Sequence, residues 1–363
     1  MKKYLFTILV AIVSISTSAQ EVESQTDSLK QRISKLEKQS ISWDKVKQHL
    51  KISGYLQTLY TWEYADKYTE NSSFRIRRAR LSFAGKIAES EKAGTADYRL
   101  QVDFAENPKI VDAWIRYRPF SQLGIQVGQF KIPLSIENSE YAPLKLEFID
   151  YSLVVQRLVK MSSNDVTGIS SVGRDCGAQL YGGFVKRENY SIINYNLAIL
   201  NGCGINQKKD NNTSKDFVGR VMINPIKDLT IAGYYQYGEG DFIEQKFVDY
   251  QRYGGGVAYN GRHAFVRSEY IRGNTGSLLS EGGYASAGWK FHTPKAGFGS
   301  VGIRFDYFDE NIHTSTCEFN YTLGIAYQPW QYMRLQLNYT IKQYPHSNQP
   351  LAHSLMAMVS GIF

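Results

Sequence analysis

After Leu50 the side chains alternate between apolar and polar with a period of two, and the alternation persists to the last residue. Phe319, Tyr321, Leu323, Ile325 and Tyr327 are interleaved with Asn320, Thr322, Gly324 and Ala326; Met333, Leu335, Leu337, Tyr339 and Ile341 with Arg334, Gln336, Asn338, Thr340 and Lys342. A strand sends successive side chains to opposite faces, so each run is a ribbon with one apolar and one polar face. A helical membrane bundle is excluded, because past the N-terminus no uninterrupted apolar stretch reaches the ~18 residues a spanning helix needs. Disorder is excluded as well. Aromatic residues make up 13% of the chain, 26 of them tyrosine, and disordered chains are poor in aromatics.

A β-sandwich would alternate too, so the connections decide. Short turns at Arg118–Ser121, Asn224–Lys227, Asn260–Gly261 and Gln328–Trp330 take turns with longer polar stretches near 66–73, 131–172, 202–215, 241–247, 274–281, 310–316 and 344–351. Short connections at one end and long ones at the other mark a transmembrane β-barrel. The alternation predicts strands at 51–65, 74–88, 96–106, 110–119, 123–130, 173–187, 190–201, 216–224, 229–240, 248–260, 262–273, 282–292, 298–309, 316–328, 331–343 and 352–363. The expected fold class is therefore all-β, a sixteen-stranded antiparallel barrel wide enough to hold water. The chain closes on Phe363, a C-terminal aromatic that suits recognition by the barrel assembly machinery of the outer membrane.

Ahead of the barrel, residues 1–19 read as a signal peptide: Lys2-Lys3, the apolar run from Leu5 to Ile15, and the small residues Thr17-Ser18-Ala19. Removing Lys2 and Lys3 lowers the formal charge from +8 to +6, and export argues against a nucleic-acid partner. Residues 20–50 are polar, with Val22, Leu29, Ile33, Leu36, Trp43 and Leu50 on a heptad-like seam that Ser40 and Lys47 interrupt. This segment reads either as a periplasmic helix that self-associates or as a solvated amphipathic linker. Residues 51–363 are the barrel.

If the apolar faces meet lipid, the opposite faces carry Arg78, Arg80, Lys86, Arg99, Arg116, Arg118, Arg220, Arg252, Arg267, Lys290, Arg304, Arg334 and Lys342 into the lumen, against Asp103, Asp112, Glu269 and Asp306. A charge on the lipid face at midplane costs ~2–4 kcal/mol, which fixes the orientation. Rings of Arg and Lys attract anions, and guanidinium matches a phosphate oxyanion. Cross-lumen pairing with the acids is the competing use of these cations. Arg77 shares a face with Ala79, Leu81 and Phe83, a placement at headgroup level above the bilayer.

The blocks FRIRRARLSFAG (74–85), VDAWIRYRPF with GIQVGQFKIPLSIEN (111–138), GRDCGAQLYGGF (173–184) and KDFVGRVMINP (215–225) resemble the phosphate-selective porin O/P family across essentially the whole barrel. The resemblance implies a homotrimeric outer-membrane channel for small anions, phosphate or polyphosphate, with an infolded third loop forming a constriction. It maps the anion-contacting pair to Arg77 and Arg78, its carboxylate to Asp112, and loop candidates to Lys131, Lys145, Arg157 and Lys160, with Ser152 as a neutral donor. A general diffusion porin for small polar or organic-acid solutes is the alternative. Six histidines and three cysteines show no metal spacing, no cofactor motif is present, and no catalytic constellation such as GxSxG occurs, so an enzyme is not expected.

Overall fold

The computed structural model describes residues 28–35, 49–65, 68–242, 245–293, 297–314, 316–347 and 349–363. The signal peptide and most of the heptad-like segment fall outside these residues. Of that segment, helix α1 (28–35) is described, with Leu29 and Ile33 exposed.

Sixteen antiparallel strands close into a barrel: β1 (Lys51–Ala65), β2 (Tyr68–Ser90), β3 (Gly94–Asp103), β4 (Lys109–Phe120), β5 (Leu123–Lys131), β6 (Arg174–Lys186), β7 (Ser191–Leu200), β8 (Asp216–Ile226), β9 (Leu229–Phe242), β10 (Gln245–Asn260), β11 (Ala264–Thr275), β12 (Leu278–Thr293), β13 (Gly297–Asp309), β14 (Cys317–Trp330), β15 (Met333–Gln343) and β16 (Ala352–Ile362). Closure is made by β1 on β16, from Tyr55 opposite Ile362 to Ala65 opposite Ala352. Reciprocal bonds between Gly54 and Phe363, at 2.8 and 3.0 Å, extend this seam to the C-terminal residue. With no free edge, the strands pair their backbone groups with one another, as a bilayer requires.

The alternation appears directly as burial. Ile303, Ile115 and Leu197 stand outward at 65, 60 and 55% exposure, while Gln57, Asp306 and Arg267 point inward at 0, 0 and 2%. Trp289, Trp330, Tyr332 and Phe363 crowd the outer wall at one end, where aromatic rings span the membrane–water boundary. All connections at that end are short; every connection of five residues or more leaves the opposite end.

Three of the expected long loops are shorter than the sequence reading. β2 already begins at Tyr68, β9 and β10 meet across 243–244, and β11 and β12 across Gly276-Ser277. Residues such as Asn71, Ser72 and Ser73 lack an apolar face, so alternation cannot reveal them, yet their backbone continues the hydrogen-bonded ladder into water. Gly276, with φ +57, supplies the left-handed residue of the resulting two-residue hairpin.

Candidate functional site

The long connection between β5 and β6, residues 132–173, folds into the barrel. Its apolar side chains Ile132, Leu134, Leu146, Leu153, Val154, Val155 and Leu158 pack on inward-facing Leu200, Val218, Tyr234, Ile271, Tyr284 and Phe308 of the wall. This explains apolar residues on an otherwise polar face. Two short helices lie along it, α2 (Ile136–Glu140) and α3 (Leu153–Leu158).

Wall carboxylates fasten both helix starts. Glu269 on β11 accepts from the Ile136 and Glu137 amides at 2.6 and 2.8 Å, from the Ser135 hydroxyl at 3.1 Å, and from the Tyr234 and Tyr284 hydroxyls at 2.9 Å each. Asp306 on β13 accepts from the Leu153 amide at 2.9 Å and from Arg304 Nε at 2.8 Å. Gly256 makes the first clasp possible, since a Cβ there would lie 2.4 Å from Glu269 Cγ. The far side of the loop touches the opposite wall, where Ile149 packs with Leu59, Met356 and Met358.

The inward cations fall into two groups. Many are matched by acids: Arg80 Nε with Asp103 at 2.8 Å, Arg116 with Asp97 at 2.8 Å, Arg304 with Asp306 at 2.8 Å, Arg157 with Glu318 at 3.1 Å, Arg220 with Glu140 at 2.8 Å, and Lys342 with Glu63 at 3.8 Å. Arg267 lies between Glu147 at 3.0 Å and Glu137 at 3.7 Å, with its guanidinium 3.5 Å from the Tyr141 ring centre. Asp112 is shared by Arg174 at 2.8 Å and Arg99 at 3.5 Å. The second group is held by neutral acceptors. Arg78 donates to Gln57 Oε1 at 2.9 Å, Lys131 to the Asn138 and Tyr141 carbonyls at 2.5 and 3.0 Å, Arg334 to the Leu144 and Leu146 carbonyls, and Lys290 to Asn260.

Other sequence candidates lie elsewhere. Lys160 is enclosed, its Nζ on Tyr250 at 2.8 Å, the Gly202 carbonyl at 2.5 Å and Asp216 at 3.3 Å. Burial opposes its charge, but Asp216, Tyr250 and Asp175 hold the ammonium above its ordinary value. It is an anchor and offers no surface to a passing ion. Arg252, 1% exposed, is bonded to the Gln251 and Asn274 carbonyls and to Thr275. Ser152 donates to Glu137 at 2.6 Å and is not a free donor. Lys145 is exposed on the loop and Arg118 is exposed near the short-turn end.

Two placements stand for Arg77 from the sequence: the headgroup level by alternation, and the anion-contacting pair by the family resemblance. Its guanidinium forms an ion pair with Asp150 of the infolded loop instead of standing at the headgroups. Along β2, Ile76 is 51% exposed, Arg78 is 8% and Arg80 is 3% exposed, so the inward phase slips by one residue at this pair. The slip turns both arginines to the interior. Burial works against the Asp150 carboxylate, but Arg77, Arg304 and Arg78 outweigh it and keep it below its ordinary range.

Polar cavities lie on both sides of the loop. Toward the long-loop end one of about 300 Å³ is lined by Arg75, Asp150, Arg157, Arg304 and Lys342. Toward the short-turn end one of about 450 Å³ is lined by Tyr55, Arg80, Arg99, Lys131, Arg174 and Arg220. On β2, Arg75 belongs to the first and Arg80 to the second, with Arg77 and Arg78 between them. The sequence does not mark Arg174 as a site residue, because Asp175, Gly177 and Gln179 set the inward phase of β6 and Arg174, its first residue, is out of phase with them. Its guanidinium is buried at the start of β6, just after Gly173 with φ +69, and meets Asp112 there.

Two substitutions test the Arg77–Asp150 pair. Asp150→Asn should free Arg77 and shift the reversal potential in a salt gradient toward anions, and Arg77→Ala should shift it the other way. Shifts of the same sign would place the pair outside the ion path. A depressed carboxyl contributes to loop seating above the ordinary range near pH ~4, and the contribution is lost as pH falls through its folded value. The part of the selectivity that Asp150 carries, read as the difference between the unmodified and Asp150→Asn channels, should accordingly stay constant from neutral pH to about 4.

A closed barrel with apolar outer walls, an aromatic band, polar cavities and a loop folded into the lumen defines an outer-membrane channel. The sequence settles which kind: residues 51–359 match the family described as phosphate-selective porin O and P, and the chain belongs to that family. No curated protein matches it significantly. Solved structures share the fold at low identity. The outer membrane channel DcaP of Acinetobacter baumannii is 10% identical with a TM-score of 0.58, covering 86% of this chain and 97% of its own. Pseudomonas putida OprB is 8% identical at 0.65, covering 88% and 95%. OmpT of Vibrio cholerae, in a trimer form, is 9% identical at 0.59, covering 87% and 100%.

Proposed function

We propose that this porin passes small inorganic anions by passive diffusion, with phosphate or polyphosphate as the preferred class, and that Arg77 and Arg78 form the step an anion crosses between the two cavities. The observation that carries this reading is Arg78: it is 8% exposed, lies on β2 between residues of the two polar cavities, and donates to a neutral amide. Among the described residues no acid contacts it, and in a narrow low-dielectric passage such a charge attracts anions strongly. Arg334 and Lys290, likewise held by neutral acceptors, extend the same condition toward the short-turn end. That end faces the periplasm in this reading, and the long-loop end the exterior.

The general diffusion reading is favoured by a different observation, the acid pairing of Arg80, Arg99, Arg116, Arg267 and Arg304. Reversal potentials in a potassium chloride gradient separate the two, and phosphate titration of the chloride current then tests the substrate class. Anion preference with phosphate block supports the proposal. Equal permeability supports general diffusion.

We further propose that residues 1–19 direct export, that 20–50 remain periplasmic, and that the barrel assembles as a homotrimer in outer-membrane lipid through strand faces. The trimeric form of the Vibrio OmpT barrel supports the last point. Deleting 20–48 should leave a trimer of lower thermal stability on native gels. A monomer would place the main contact in the deleted segment.

A further inference from the structure

Glu140, at the end of α2, lines the 450 Å³ cavity already described and two more at the short-turn end, of about 550 and 580 Å³. Among the described residues no other lines all three. The cations around it include Arg99 and Lys131 in the first, Lys290 and Arg334 in the second, and Arg118 and Lys186 in the third, while Arg220 is shared by the first and third. In the third cavity Glu140 is the one acid of the lining.

Arg220 is 5% exposed, and only its Nη2 is engaged, by Glu140 Oε1 at 2.8 Å and Asn196 Oδ1 at 2.9 Å. Its Nε and Nη1 are buried without a partner, and so is the Tyr181 hydroxyl of the same cavity. A buried guanidinium with two unmatched donor atoms, in a cavity that also holds an unmatched phenol, has the donor set of an oxyanion site. The Glu140 side chain retains 42% of its exposure, so it can leave Arg220 for water at little cost.

We propose that Glu140 is a tethered competitor: its carboxylate occupies a second oxyanion site on Arg220, beyond the Arg77–Arg78 step, and a transported oxyanion displaces it. Glu140 keeps the site from holding its ligand tightly, which favours release over retention at the junction of the three cavities. The inference rests on the anion-channel reading but concerns a different pair of residues.

The test uses the full-length protein in oriented planar bilayers with inorganic phosphate as the probe. Glu140→Gln should strengthen phosphate block of chloride current added from the short-turn side by about fivefold, the scale of a half-exposed ion pair. Block from the long-loop side should be unchanged. Adding Arg220→Gln should erase the gain; Arg220→Lys, which keeps the charge, should retain part of it and serves if the first double variant fails to fold. Block by E140Q equal to that of the unmodified protein, or a gain that survives removal of Arg220, would overturn the proposal. Absence of phosphate block from either side of the unmodified channel would overturn phosphate as substrate, a separate result read in a separate protein.

Discussion

Glu269→Ala should release the infolded loop: single-channel conductance should rise, ion preference should weaken, and the heat-modifiability transition should move to lower temperature. Glu269 gathers two backbone amides, a serine hydroxyl and two tyrosine hydroxyls on one buried carboxylate. Removing it leaves all five donors inside the protein without an acceptor. Each orphaned buried donor costs roughly 1–3 kcal/mol. Glu269→Gln is not a mild substitution here, because its NH2 group would face donors with a donor. The barrel ladder itself is untouched, so the variant should still fold into a closed barrel. Unchanged conductance in a folded Glu269→Ala protein would mean that apolar packing alone seats the loop.

The same loop marks where the sequence stopped being legible. The barrel could be read almost whole, since lipid on one side and water on the other impose a period of two on every spanning residue. Inside the lumen that period says only which side chains point inward. It cannot say that Glu269 would meet the start of α2, since the partners are 132 residues apart and joined only by the loop's path. Nor could it place Lys160, an exposed-looking loop cation that ends in a buried cage with Asp216 and Tyr250. Arg77 shows the third kind of limit: a one-residue slip in the strand reverses the face assigned by alternation, and nothing in FRIRRARL announces it. The pairing of Arg80 with Asp103 follows from the β2–β3 register, in which the two residues are directly opposite.

Arg78 and Arg80 differ in what their removal does to the lumen, and that difference gives the sharpest expected change in selectivity. Arg78→Ala deletes a charge that no acid contacts among the described residues. Arg80→Ala also leaves Asp103 behind, at 3% exposure, so a cation is exchanged for an uncompensated carboxylate. At an effective dielectric of ~20, a unit charge ~8 Å from a passing ion is worth about 2 kcal/mol, enough to change anion-to-cation permeability several-fold. The double variant should therefore lose its anion preference in dilute salt. Near 1 M, where the screening length falls from ~8 Å at physiological salt to ~3 Å, the variant and the unmodified channel should converge. Arg78→Lys separates charge from geometry: it should keep the anion preference yet weaken phosphate block, because an ammonium lacks the planar fork that can hold Gln57 and an oxyanion together. Equal cation and anion permeability of the unmodified protein in dilute salt would sink the anion-channel reading, whereas anion preference without phosphate block would leave the channel and remove its substrate.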